Sequence, residues 1–162
     1  MPQPTIFITG ATGFIGSHVV SQALEAGYNV RLSVRKESQL ESLRSLLSKH
    51  AARLAFVVIP DLTKSDAFYE ALQGVKYVFH IASPMPGKGS DFKTDYLAPA
   101  VQGTTSLLSA AKTNLGIERI VVVSSVLALV PLGALATGKF HAKGKSRCIT
   151  SSLFMFIPTG HA

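Results

Sequence analysis

Eight residues, Thr9-Gly10-Ala11-Thr12-Gly13-Phe14-Ile15-Gly16, constrain the fold more than any other stretch of this chain. They follow a β-rich run, Thr5-Ile6-Phe7-Ile8, and open a pattern of helical period. A glycine fingerprint between a strand and a helix is the local signature of a dinucleotide-binding turn. Gly10 can take the tight strand-to-helix turn. Gly13 has no Cβ, so the backbone can approach a pyrophosphate, and Gly16 lets the helix lie close on the sheet. The free N–H groups of the helix N-terminus then face the phosphates. The plainer alternative is a βα turn with no ligand.

With 162 residues the chain is sized for one domain with a proper core. A hydrophobic content of 47% and a mean hydropathy of +0.31 fit a buried globular core and exclude a disordered chain. A lone cysteine, Cys148, excludes an intramolecular disulfide. No basic n-region precedes the glycine turn, and Pro2 and Pro4 lead into the first strand, so no signal peptide is expected. These features predict a cytoplasmic protein. The net charge of +7 does not describe a nucleic-acid surface. Residues 1–119 carry all nine acids and twelve of the sixteen Lys and Arg, while Lys139, Lys143, Lys145 and Arg147 sit in an acid-free tail without interleaved aromatics. Val126–Ala136 is apolar but holds Pro131 and Gly133, which argues against a membrane span.

Strand and helix patterns alternate from the start, which predicts an α/β, doubly wound parallel sheet covered on both faces. Strands are expected at Thr5–Thr9, Asn29–Val34, Leu54–Ile59, Tyr77–Ile81 and Arg119–Ser124. The third, nearly all apolar, reads as a strand buried on both faces. Helices are expected near Phe14–Ala26, Ser38–Ser48, Ser65–Leu72 and Asp91–Thr113, the last bent at Pro99. In the second helix Leu40, Leu43, Leu46 and Leu47 are expected on one side. Beyond Ser125 the alternation weakens, with one apolar knot at Leu153–Ile157.

The strand ends carry the candidate chemistry. The second strand closes Ser33-Val34-Arg35-Lys36, with no carboxylate before Glu37. An acid there would accept from a ribose 2′-hydroxyl, whereas Arg35 can pair bidentately with a 2′-phosphate. The missing acid and the present base favour NADPH over NADH, against the alternative of an exposed arginine. Asp61-Leu62 follows the third strand and can meet an adenine ring, or Asp61 can cap the helix expected at Ser65. His80-Ile81-Ala82-Ser83-Pro84 closes the fourth strand, where small residues admit a ribose or nicotinamide; His80 itself reads as a packed histidine rather than a catalyst. Ser124-Ser125 closes the fifth, as a turn pair or as a hydroxyl for a substrate carbonyl. No metal site is expected.

These motifs, with Pro99-Ala100-Val101-Gln102-Gly103-Thr104 and the valine run before Ser124, occur in order and at sensible spacing. Together they resemble the extended short-chain dehydrogenases/reductases of the NAD-dependent epimerase/dehydratase type, in the dihydroflavonol-reductase-like and aldehyde-reductase-like branch. The resemblance covers about Thr5 to Leu129. It implies a Rossmann-type NAD(P)-binding domain over residues 1–138, truncated after about strand five, with a basic irregular tail at 139–162. It implies NADPH-dependent reduction of a small-molecule carbonyl to an alcohol, or the reverse. Gly10, Thr12, Gly13, Phe14, Ile15 and Gly16 would hold the pyrophosphate, Arg35 the 2′-phosphate, and Asp61 with Leu62 the adenine. Ile81, Ala82 and Ser83 would border the nicotinamide, and Ser125 would match the catalytic serine.

One departure stands out. The family's proton donor is a tyrosine in a Tyr-x-x-x-Lys pair after that serine, yet Tyr28, Tyr69, Tyr77 and Tyr96 all precede Ser125. Impaired turnover is therefore expected, with a non-catalytic NADPH-binding sensor or a fragment without stable function as alternatives. The family's strand order, 3-2-1-4-5, would leave Val121–Val123 as an edge prone to self-association unless the tail covers it.

Overall fold

The computed structural model describes residues 3–84, 89–125 and the backbone of 154–158. Its organising feature is one β-strand that feeds two cores. Strand β1 (Thr5–Thr9) alternates Ile6 and Ile8 toward one face of the sheet and Phe7 toward the other, all buried. Such a strand is buried on both sides because helices cover both faces of a parallel sheet.

Chain order from β1 runs through α1 (Phe14–Glu25), β2 (Asn29–Val34), α2 (Ser38–Leu46) and a 3-10 helix (Ser48–Arg53). Then come β3 (Leu54–Val58), the short α3 (Asp66–Tyr69), β4 (Val75–His80), a π-helical turn (Lys93–Leu97), α4 (Ala98–Lys112), β5 (Arg119–Val123) and β6 (Phe154–Pro158). The sheet order is β3-β2-β1-β4-β5-β6, in which the first five strands are parallel and β6 is antiparallel to β5. The expected doubly wound α/β sheet is present, and β1 and β4 form its switch point.

Helix α1 packs Val20, Ala23 and Leu24 onto Ile6, Ile8, Val30 and Leu32. On the opposite face α3 and α4 bring Phe68, Leu107, Ala110 and Ala111 against Phe7, Val78 and Ile120, with Phe7 and Phe68 edge to face at 6.3 Å. Arg31 points to this second side and donates to the carbonyls of Ala71 (2.7 Å) and Gln73 (2.8 Å), tying β2 to the segment before β4.

Several sequence expectations change. Strand β3 is an outer strand of the sheet, so its residues are half-buried and Ala55 is exposed rather than buried on both faces. In α2, Leu40 and Leu43, with Leu47 just beyond, form the inward stripe, while Leu46 is 76% exposed because it falls off that i, i+3, i+7 line. Helical backbone runs from Phe92 to Lys112 as expected, and its irregularity is a π-helical turn at Lys93–Leu97, directly before Pro99, the second residue of α4.

The sheet also does not stop at β5. Phe154–Pro158, inside the stretch read as irregular tail, pairs with Val123–Arg119 in antiparallel register. That pairing covers the β5 edge, so the expected exposed edge and the self-association it would drive are not supported. The expectations for Val126–Ala136 and for the basic residues at 139–147 lie outside the described residues.

Candidate functional site

Because β1 to β5 are parallel, the residues that follow each strand gather on one rim of the sheet. That rim brings together the glycine turn, Arg35, Asp61-Leu62, Ile81-Ala82-Ser83 and Ser125.

Gly10 has φ +75°, a left-handed conformation that glycine adopts at little cost. A Cβ there would also lie 2.7 Å from the Ala82 nitrogen, so the exits of β1 and β4 meet with no room for a side chain. Gly16 is buried, and a Cβ on it would overlap the Gly10 carbonyl oxygen. Its smallness therefore lets α1 close onto the turn itself, which refines the expected helix-to-sheet contact. The turn is held by Gly13 N donating to Gly10 O at 3.0 Å. Gly13 is the extended N-cap of α1, which has no side-chain cap and no acid in its first turn. Thr12, Gly13, Phe14 and Ile15 are exposed, Phe14 at 84%. An open, uncapped, acid-free helix start over a glycine turn fits an anionic pyrophosphate group, by the orientation of its N–H groups and by the helix dipole.

At the end of β2, Arg35 and Lys36 are exposed, and their backbone N–H groups both donate to Gln39 Oε1 at 3.1 Å. Gln39 thus fixes this cationic turn without using either side chain. Sequence reasoning missed that role, although a glutamine four residues after Arg35 is the visible signal. Asp61 is exposed and does not cap α3. Its Oδ1 accepts from the Thr63 hydroxyl (2.7 Å) and the Thr63 N–H (2.9 Å). Those two bonds, with smaller help from Lys64 and Arg35, hold its carboxyl below the usual carboxylate range. Leu62 is half-buried against α4 at Gly103, and Ser106 Oγ donates to the Thr63 carbonyl at 2.7 Å. The Asp61 segment is therefore anchored to α4.

His80 is 3% exposed and sits 2.9 Å from Thr9 Oγ1 through Nδ1. Burial pushes its pKa down to about 4, so the ring is neutral at pH 7. It is the packed histidine expected. Beyond it, Ile81 and Ala82 are half-buried and Ser83 is exposed. Ser125 is exposed two residues past β5, with β4 between its strand and the glycine turn's. Among the described residues, no cluster of His, Cys, Asp or Glu could hold a metal ion, and no helix is long and apolar enough to cross a membrane.

This rim and sheet order define a Rossmann-type nucleotide-binding fold. Residues 6–134 match the NAD dependent epimerase/dehydratase family, and the chain belongs to that family. It is 44% identical to the ketoreductase sphI of Aspergillus fumigatus over 138 residues, covering 85% of this chain and 40% of that protein. It is 36% identical to dihydroflavonol 4-reductase of Hordeum vulgare over 121 residues, covering 74% of this chain and 34% of that protein. Among solved structures it resembles the yeast methylglyoxal/isovaleraldehyde reductase Gre2 complexed with NADPH. There the TM-score is 0.72 and the identity 34%, over 78% of this chain and 38% of the other. The chain thus spans about two fifths of the length of the curated relatives it matches.

Proposed function

We propose that this chain binds NADPH along the carboxyl rim of its sheet and serves reduction of an aldehyde or ketone to an alcohol. The observation that carries this is the glycine turn closed by Gly16 on Gly10 beneath an uncapped, acid-free α1, with Arg35 rather than a carboxylate at the end of β2. In this reading the backbone of Gly10, Thr12, Gly13, Phe14, Ile15 and Gly16 binds the pyrophosphate. Arg35 binds the 2′-phosphate, Asp61 and Leu62 the adenine, and Ile81, Ala82 and Ser83 border the nicotinamide. Bound NADPH supplies the hydride for such a reduction. Ser125 would hydrogen-bond the substrate carbonyl oxygen through its hydroxyl and so orient it, the proton that completes the alcohol being drawn from solvent. The NADPH held by the structurally similar yeast reductase and the ketoreductase relative support the same assignment.

Calorimetric titration tests the cofactor assignment. NADPH is expected to bind well above NADH, and R35A to abolish the difference. No heat with NADPH, or equal affinity for the two, overturns it. Carbonyl-dependent NADPH oxidation by the purified chain tests the reaction: oxidation supports the reductase reading, and NADPH binding without oxidation overturns it.

A further inference from the structure

His80 is buried on the rim yet has no part in the assignments above. Its partner explains why it is there. Thr9 Oγ1 accepts the N–H of Ile81 at 3.1 Å and of Ala82 at 3.2 Å. A hydroxyl oxygen has two lone pairs and one hydrogen. With both lone pairs taken, the hydrogen goes to His80 Nδ1, 2.9 Å away, which must be unprotonated. The ring proton is then on Nε2. The count of donors and acceptors fixes the tautomer.

We infer that Thr9 and His80 are a positioning pair, which holds the β4 exit, Ile81-Ala82, closed on Gly10 and thereby sets the floor of the cofactor cleft. Strand β1 ends at Thr9, opposite His80, and the chain turns away at Gly10. Beyond that register the Ile81 and Ala82 N–H groups face a strand that has ended. The Thr9 hydroxyl stands in for the missing carbonyl, and His80 keeps that hydroxyl turned so that it can accept twice. The tolerance is small, since Ala82 N lies where a Cβ on Gly10 would be 2.7 Å from it. An apolar pair of equal volume would fill the space and leave both N–H groups without this acceptor. Both side chains are buried, Thr9 at 0% and His80 at 3% exposure, so water does not replace the bond.

The consequence for NADPH rests on the proposed function, so the experiment has two arms. In the first, amide hydrogen exchange is followed by NMR on the cofactor-free chain and on T9V, T9S, H80L and H80N. T9S keeps the hydroxyl and H80N keeps an acceptor near the Nδ1 position, so both retain protection at Ile81 and Ala82. T9V and H80L lose protection there while Val78 and Phe7 stay protected. Unchanged exchange in T9V and H80L overturns the pair, as does a loss spread evenly over β1 and β4, which would be general destabilisation. Should one apolar variant fail to fold, the other and the two conservative variants still decide. In the second arm, NADPH affinity falls about tenfold in T9V and H80L but not in T9S or H80N, the scale of one lost buried hydrogen bond. Equal affinity in all five proteins overturns the link to the cleft. Absence of NADPH binding by the unaltered chain overturns the proposed function instead, while selective loss of protection still supports the pair.

Discussion

Gly16 lies so close to Gly10 that any side chain on it would enter the Gly10 carbonyl, which makes the first turn of α1 and the end of β1 a single packed unit. A methyl group can be added only by moving the helix off the turn. G16A is expected to destabilise the chain by about 1–3 kcal/mol, the usual cost of overpacking. Thermal unfolding reads the loss, and a melting point equal to that of the unaltered chain would remove the steric argument.

G10A carries two penalties at once. The left-handed conformation costs a side-chain-bearing residue about 1–2 kcal/mol, and the methyl also meets the Ala82 nitrogen. G10A is therefore expected to unfold at lower temperature than an alanine at Gly74, which shares the positive φ but has nothing within 4 Å. If the two variants melt together, the contact with Ala82 contributes nothing.

R35A should weaken NADPH binding by about 1.5–3 kcal/mol, the range for a charge-assisted hydrogen bond, and leave NADH nearly untouched. The preference for NADPH in the unaltered chain should shrink with added salt, because Arg35 is exposed. Titrations at two ionic strengths check both statements. Q39A should produce a smaller loss, since it frees the turn but removes no charge.

Acid stability should follow His80. Its folded pKa of about 4 lies below the ordinary value of 6.5, so between those values the unfolded chain binds more protons than the folded one. The contribution is complete above pH 6.5 and is lost as pH falls through about 4. Its full size is about 3 kcal/mol. Urea unfolding at pH 7, 5.5 and 4.5 should show H80N losing less stability on acidification than the unaltered chain. Parallel slopes would mean that other groups govern the acid limb.

Removal of residues 154–162 should expose the β5 edge that β6 now covers. The shortened chain is expected to elute as larger species in gel filtration and to scatter more light. A monodisperse product of the same apparent size would show that the edge is harmless.

Much of the architecture was legible because the signals were local. Strand positions came from apolar runs such as Val121-Val122-Val123, and the glycine turn from its spacing together with the strand before it and the helix after it. What escaped depended on partners distant in sequence. Leu153–Ile157 reads as an apolar knot because nothing nearby says that it will find β5, whose closest register pair, Val123 with Phe154, is 31 residues apart. Thr9 reads as an ordinary strand-end threonine until His80, 71 residues on, is set beside it. The edge position of β3 was implied by the strand order 3-2-1-4-5, and its apolar composition obscured that. Asp61 shows a different failure. Its acceptor capacity goes to Thr63, two residues away, rather than to the start of α3.

The reversal of direction at the last strand has a topological outcome. Val123 ends β5 on the carboxyl rim of the parallel strands, and its register partner Phe154 begins β6 at that same end of the sheet. The end of β5 and the start of β6 are therefore neighbours, both on the carboxyl rim of the sheet. A parallel crossover re-enters a sheet at the opposite end, whereas an antiparallel return such as β6 begins at the end where β5 stops.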